Sequence, residues 1–189
     1  MEGLYKNKYR IKSIRLSEFN YSDQGLYFIT ICTNNHINCL GDIKNSDICL
    51  SKTGEIVKKF WFEMANNCNN IKLDEFIIMP NHLHGIIEII DGGVEAIHEL
   101  PPMIRDTDET IHELSLQCKK RRKMLIPKII GKFKMQSARS INQLLNNQGQ
   151  FWQSNYYEHI IRNEKELNQI RKYIIENPMK WEFDRNNLN

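Results

Sequence analysis

Phe76-Ile77-Ile78-Met79-Pro80-Asn81-His82-Leu83-His84-Gly85-Ile86-Ile87-Glu88-Ile89-Ile90 is two short apolar runs joined by a polar step that carries two histidines. The second run is mostly β-branched, which favours strand over helix. Side chains alternate faces along a strand, so His82 and His84 point the same way, about 7 Å apart along the chain axis, with Leu83 on the opposite face. Two imidazoles on one rigid strand can converge on one cation. Six histidines in 189 residues give about 0.2 His-X-His pairs by chance, so the pair gains meaning only with a third ligand and a reactive group from elsewhere.

Working outward, residues 26–33 (Leu-Tyr-Phe-Ile-Thr-Ile-Cys-Thr) read as a strand. Residues 34–50 read as a loop with a short apolar piece. Residues 51–66 predict a helix capped by Ser51 or Thr53, with Ile56, Val57, Phe60, Trp61 and Met64 as its core stripe. Residues 71–79 are a second strand, and Pro80-Asn81 is a turn or bulge before the histidine strand.

Downstream, Pro127 suits the first position of a helix running to about Asn146, with Ile129, Ile130, Phe133, Ala138, Ile141, Leu144 and Leu145 along one side. Residues 151–161 read as an extended, aromatic-rich strand. Residues 164–177 form a last helix, capped by Asn163 and ended by Pro178, with Leu167, Ile170 and Ile174 inward. The order β-α-β-β-α-β-α predicts an α+β fold: a ferredoxin-like split β-α-β sandwich with an antiparallel sheet and helices on one face. The final helix is extra and can cross the sheet to reach the histidines.

The totals fit one domain over residues 1–189: 41% hydrophobic and 26% charged residues are ordinary for a globular chain. No apolar run approaches the roughly 18 residues of a membrane span, and Met1-Glu2-Gly3-Leu4-Tyr5-Lys6 lacks an apolar signal segment, so the expected place is cytoplasmic. The five cysteines include no C-x-x-C pair, which argues against a disulfide framework or a zinc-thiolate site.

Net charge is +3, yet its distribution is uneven. Residues 91–113 are acidic apart from Arg105, whereas 114–157 hold Lys119, Lys120, Arg121, Arg122, Lys123, Lys128, Lys132, Lys134 and Arg139 and no acid. A basic arm over residues 1–20 adds Lys6, Lys8, Arg10, Lys12 and Arg15. Basic runs interleaved with Tyr5, Tyr9, Phe133 and Trp152 suit a nucleic-acid surface; a solvated basic helix is the plainer alternative. Arg10, Lys12, Arg15, Lys119, Lys120, Arg121, Lys128, Lys132, Lys134 and Arg139 are the expected DNA contacts. Residues 92–126 read as a charged insertion, in which Glu95-Ala96-Ile97-His98-Glu99-Leu100 is echoed by Glu109-Thr110-Ile111-His112-Glu113-Leu114, a slipped duplication more than a metal site.

Tyr173 and Asn177 stand one helical turn apart, so a potential nucleophile and an amide ligand share a face. At this point the motifs resemble a family. Met79-Pro80-Asn81-His82-Leu83-His84-Gly85 resembles the His-hydrophobic-His motif of HUH-type single-strand DNA transposases. Residues 151–164 (Phe-Trp-Gln-Ser-Asn-Tyr-Tyr-Glu-His-Ile-Ile-Arg-Asn-Glu) and 173–181 (Tyr-Ile-Ile-Glu-Asn-Pro-Met-Lys-Trp) are similar to the C-terminal signatures of the REP-associated tyrosine transposase branch, within the IS200-like family.

The resemblance implies that His82, His84 and Asn177 bind a divalent metal, with Mg or Mn expected. It also implies that Tyr173 on a C-terminal catalytic helix attacks a phosphodiester of single-stranded or hairpin DNA, leaving a 5′-phosphotyrosine and a free 3′-hydroxyl. His159 and Arg162 fall in the signature and join the expected DNA contacts. Pro178 biases Asn177 away from helical angles, and Tyr156 and Tyr157 are rival nucleophiles. A water-using metal nuclease and a non-catalytic nucleic-acid-binding module on the same scaffold are the alternative functions. Monomer and homodimer both stay open.

Overall fold

The computed structural model describes residues 22–90 and 124–187. The basic arm and nearly all of the 92–126 insertion lie outside the described residues, and with them Arg10, Lys12, Arg15, Lys119, Lys120 and Arg121.

In chain order the elements are β1 (Gly25–Cys32), a hairpin of β2 (Gly41–Lys44) and β3 (Asp47–Leu50), α1 (Lys52–Asn66), β4 (Ile71–Ile78), β5 (His82–Ile89), α2 (Leu125–Leu145), β6 (Tyr157–Ile161) and α3 (Glu164–Glu176). A four-stranded sheet has the order β4-β5-β1-β6, every neighbouring pair antiparallel. β1 and β4 therefore run parallel with β5 between them, which is the split β-α-β arrangement expected from the element order.

Alternation along the strands gives the sheet two apolar faces. Tyr27, Ile29, Ile31, Leu83, Ile87 and Ile89 form one with Val57 and Trp61 of α1 and Ile126, Ile129, Ile130, Phe133 and Ile141 of α2. Gly85 permits a close approach of α1, because a Cβ there would overlap the Trp61 ring. The other face holds a smaller cluster of Phe28, Ile86 and Ile161 with Leu167 and Ile174 of α3. Thus α1 and α2 cover one side and α3 crosses the other, the side to which the even-numbered residues of β1 and β5 point.

Several local expectations are corrected. Residues 34–50 contain the β2–β3 hairpin, closed by Asn45 and Ser46 at φ 52° and 66°, the left-handed pair that a tight two-residue hairpin turn requires. Within 151–161 only Tyr157–Ile161 is strand, while Trp152 makes a lone bridge to Thr33 and its indole N–H donates to Ser137 Oγ at 3.0 Å. The second long helix begins at Leu125, so Pro127 lies third in its first turn, where no intrahelical N–H is needed. Leu144 and Leu145 are exposed, and the buried stripe runs through Ile126 and Ser137 instead. Pro178 does end α3, but it opens a 3-10 turn (Pro178–Phe183), and Asn177 keeps helical angles (φ −58°, ψ −42°).

Candidate active site

Antiparallel register brings the site together. Cys32 of β1 stands opposite His82 and Thr30 opposite His84, while Thr30 also faces Tyr157 of β6. Both histidines are fully buried. Although their positions are separated along the strand, the rings lean together, with centroids 4.5 Å apart and the two Nε2 atoms 3.0 Å apart.

Each ring is oriented from behind. His82 Nδ1 lies 2.8 Å from Asn81 Oδ1, and His84 Nδ1 lies 2.8 Å from Thr30 Oγ1. Asn81 Oδ1 accepts at the His82 Nδ1 and the Thr30 hydroxyl can accept at the His84 Nδ1, so both rings can take the tautomer whose Nε2 lone pair is bare, the arrangement typical of metal-ligating imidazoles. Asn81 is itself fixed, donating from Nδ2 to the carbonyls of Asn186 (2.8 Å) and His36 (3.2 Å). Burial pushes the His82 imidazole down to about 4, against the opposing pull of Asp184, and holds His84 well below its ordinary value, with neighbouring His82 adding to the effect. Both rings are therefore neutral near pH 7, the form that binds metals.

α3 supplies the rest. Tyr173 Oη is 3.2 Å from His84 Nε2, with ring centroids 5.2 Å apart, and Phe28 packs edge-on against the phenol. The phenol is part-exposed, at 39%. Burial of its hydroxyl end raises its pKa above the ordinary 10, Asp184 adding to the rise while a hydrogen bond from Asn177 works against it. Asn177 is buried; its Nδ2 donates to Asp184 Oδ2 at 3.3 Å, and its Oδ1 has no hydrogen-bond partner among the described residues.

Asp184 was not singled out from sequence. It follows the 3-10 turn and brings a carboxylate oxygen to within 4.8 Å of the His82 and His84 ligand atoms. The set suits a divalent cation. Two lone pairs 3.0 Å apart repel unless a proton or a cation lies between them, and about 3 Å is the separation of adjacent imidazole ligands at metal–nitrogen distances near 2.1 Å. The Asp184 carboxylate brings a negative charge to the pair.

The other expected residues lie elsewhere. Tyr157 packs edge-on against Phe28, with the Arg185 guanidinium 5.6 Å above its ring, and Tyr156 packs toward the main core; neither is within the histidine–Tyr173 cluster. His159 points to the α3 side and lies 2.7 Å from Glu166 Oε1, while the Arg162 side chain is exposed. Lys128, Lys132, Lys134 and Arg139 are on α2, across the sheet from the histidines. Lys132 and Arg139 are exposed, and Lys134 ties α2 to the carbonyls of Gln153 (2.5 Å) and Ser154 (3.0 Å). Among the described residues no helix is long and apolar enough to cross a membrane.

A protein of Haemophilus influenzae (strain ATCC 51907 / DSM 11121 / KW20 / Rd), described only as uncharacterized, is 40% identical over 177 residues, covering 92% of this chain and 91% of that one. The fold is shared with a REP-associated tyrosine transposase solved bound to a REP hairpin: TM-score 0.51 and 16% identity, over 93% of this chain and 77% of that one. The family model for IS200-like transposases matches residues 114–177, which span α2, β6 and the helix bearing Tyr173 and Asn177. Over that stretch the chain is similar to the IS200-like transposases, and along most of its length it shares its fold with the hairpin-bound structure.

Proposed function

We propose that this protein nicks and rejoins single-stranded DNA at hairpin-forming repeats through a covalent 5′-phosphotyrosine on Tyr173, at a divalent cation held by His82, His84 and Asn177. The observation that carries the reading is the 3.2 Å contact of Tyr173 Oη with His84 Nε2, inside a buried histidine pair whose lone pairs face one point.

Tyr173 Oη attacks the scissile phosphorus, the O5′-bearing phosphate stays on the phenol, and the 3′-oxygen leaves as a hydroxyl. A phenol raised above its ordinary pKa is a weak nucleophile at neutral pH and needs a proton acceptor. Asp184, which bonds the phenol, takes that role. Asp184 also holds the Asn177 amide so that Oδ1 faces inward. Burial keeps the histidines neutral, and Thr30 and Asn81 keep them aimed. The cation, when bound, neutralises charge developing on the phosphate; Mn and Mg are both suited to oxygen-rich phosphate chemistry, and imidazole ligands favour Mn. The linkage stores the bond energy, so a second DNA end can reverse the step without a nucleotide cofactor. The hairpin partner follows by analogy with the REP-bound relative. A solvent-exposed stem would meet exposed basic residues near α3 such as Arg162, a contact that weakens with salt.

The test is covalent trapping. Protein is mixed with labelled single-stranded hairpins from the DNA flanking its own gene, with Mn or Mg, and denatured in SDS. Label should migrate with the protein and be lost in Tyr173→Phe and His82→Ala. Cut DNA without an adduct, surviving Tyr173→Phe, would mean that water is the nucleophile.

A further inference from the structure

α3 rests on a small apolar cluster of five buried side chains, whereas the opposite face of the sheet carries the main core. Apolar contact is non-directional and leaves a helix free to slide and rotate by small amounts. Directional contacts are made at both edges of the sheet. Near the start of α3, Glu166 Oε1 lies 2.7 Å from His159 Nε2 and Glu166 Oε2 accepts the Arg162 backbone N–H at 2.8 Å, on the side of the edge strand β6. Further along, Arg171 Nε donates to Asp74 Oδ1 at 2.8 Å and Arg171 Nη2 to Asp74 Oδ2 at 2.5 Å, on the opposite edge strand β4.

The β4 contact has a local cause. Leu73 pairs with Ile87 and Phe76 with Gly85, so Asp74 and Glu75 together oppose the single residue Ile86. Alternation after Leu73, which faces the main core, puts Asp74 on the face that α3 crosses, and the extra residue of the bulge returns Phe76 to the main core. A planar guanidinium gripping both oxygens of a carboxylate fixes orientation as well as distance. Arg171 lies two residues before Tyr173, which stands over His84 of β5, the strand next to β4.

We propose that Asp74 and Arg171 are positioning residues for Tyr173: their bidentate pair sets where α3 crosses the sheet, and so holds the phenol at the histidines. The inference rests on Tyr173 as the nucleophile. Neither residue touches the histidine site; because Asn177 caps the same helix one turn beyond Tyr173, the pair acts on the rate of strand cleavage and, through Asn177, on the metal, and leaves DNA binding alone.

The experiment uses the full chain with a hairpin oligonucleotide and Mn, and compares wild type with Arg171→Gln, Arg171→Lys, Asp74→Asn and the charge-swapped pair Asp74→Arg with Arg171→Asp. Melting curves identify variants that do not fold, and Arg171→Lys is the mild variant that keeps the charge without the fork. The single-turnover rate of adduct formation is expected to fall about tenfold or more in the single variants, because small misplacements of a reacting group cost up to about a hundredfold. The DNA concentration at half-saturation should stay unchanged, the Mn affinity by calorimetry should fall no further than in Asn177→Ala, and the swapped pair should recover part of the rate. Wild-type rates in Arg171→Gln and Arg171→Lys, or a loss that appears wholly as weaker DNA binding, would overturn the proposal. Should wild type itself form no adduct, the nucleophile reading fails on its own. Amide exchange across residues 164–176 then judges the clamp: faster exchange in Arg171→Gln sustains it, unchanged exchange overturns it.

Discussion

Asn177 donates from Nδ2 to Asp184 Oδ2 at 3.3 Å, and that bond decides which end of the amide is left without a partner. With the NH2 group engaged by a carboxylate, Oδ1 is the end left buried and without a partner among the described residues. Removing the carboxylate's charge should loosen this choice. Asp184→Asn is expected to weaken Mn binding by about tenfold or more, within the range for partners that orient metal ligands. Asn177→Ala should lose at least as much. Calorimetric titration with Mn checks both, with His82→Ala as the variant that abolishes binding.

Thr30 provides a second handle on the same centre. Its Oγ1 lies 2.8 Å from His84 Nδ1, and both groups are buried. Thr30→Val keeps the shape and deletes the partner, leaving an imidazole nitrogen unsatisfied at a cost of about 1–3 kcal/mol. The stability loss should be accompanied by weaker Mn binding, because the ring is no longer held in one tautomer. Denaturant unfolding and Mn titration on the same preparation read the two effects separately.

Gly85 tests the packing that supports the histidine strand. Gly85→Ala drives a methyl group into the fully buried Trp61 ring. A destabilisation of about 1–3 kcal/mol is expected. Gly85→Ala combined with Trp61→Phe should recover part of it, since the smaller ring yields room. Equilibrium unfolding of the single and double variants measures the coupling.

Acid should loosen α3. The Arg171 guanidinium holds the Asp74 carboxyl below its ordinary value, and the Arg162 backbone N–H with His159 does the same for Glu166. A depressed carboxyl takes up its proton more readily in the unfolded chain. Its contribution to stability is therefore present above the unfolded value, about 4, and is lost as pH falls through the folded value. Both groups are largely solvent-screened, so the effect is modest. Melting temperatures from about pH 6 to about pH 3 should fall more steeply for wild type than for Asp74→Asn.

How much of this was legible in the sequence depends on the kind of signal. Period-two alternation placed His82 and His84 on one face, and helical spacing placed Tyr173 with Asn177 and Leu167 with Ile174. Ser51 and Asn163 were readable as caps, and each accepts the expected backbone N–H, from Gly54 and Glu166. Asn45-Ser46 was not read as a hairpin turn, because serine is a weak signal for the left-handed conformation that glycine marks clearly. Asp184 and Thr30 were missed for a different reason. Neither stands in a periodic pattern with the histidines; one arrives by strand register and the other by the turn that Pro178 opens. The partner of His159, Glu166 Oε1 at 2.7 Å, comes from tertiary packing and has no local signal.

The central claim is that Tyr173 becomes covalently attached to the 5′ phosphate of cleaved DNA. The most direct measurement is mass spectrometry of proteolytic peptides after reaction with a hairpin substrate, Mn and nuclease trimming. The account predicts a nucleotide-mass adduct on the peptide containing Tyr173, absent from the His82→Ala protein. An adduct on the peptide containing Tyr156 and Tyr157, or cleaved DNA with no modified peptide, would contradict it.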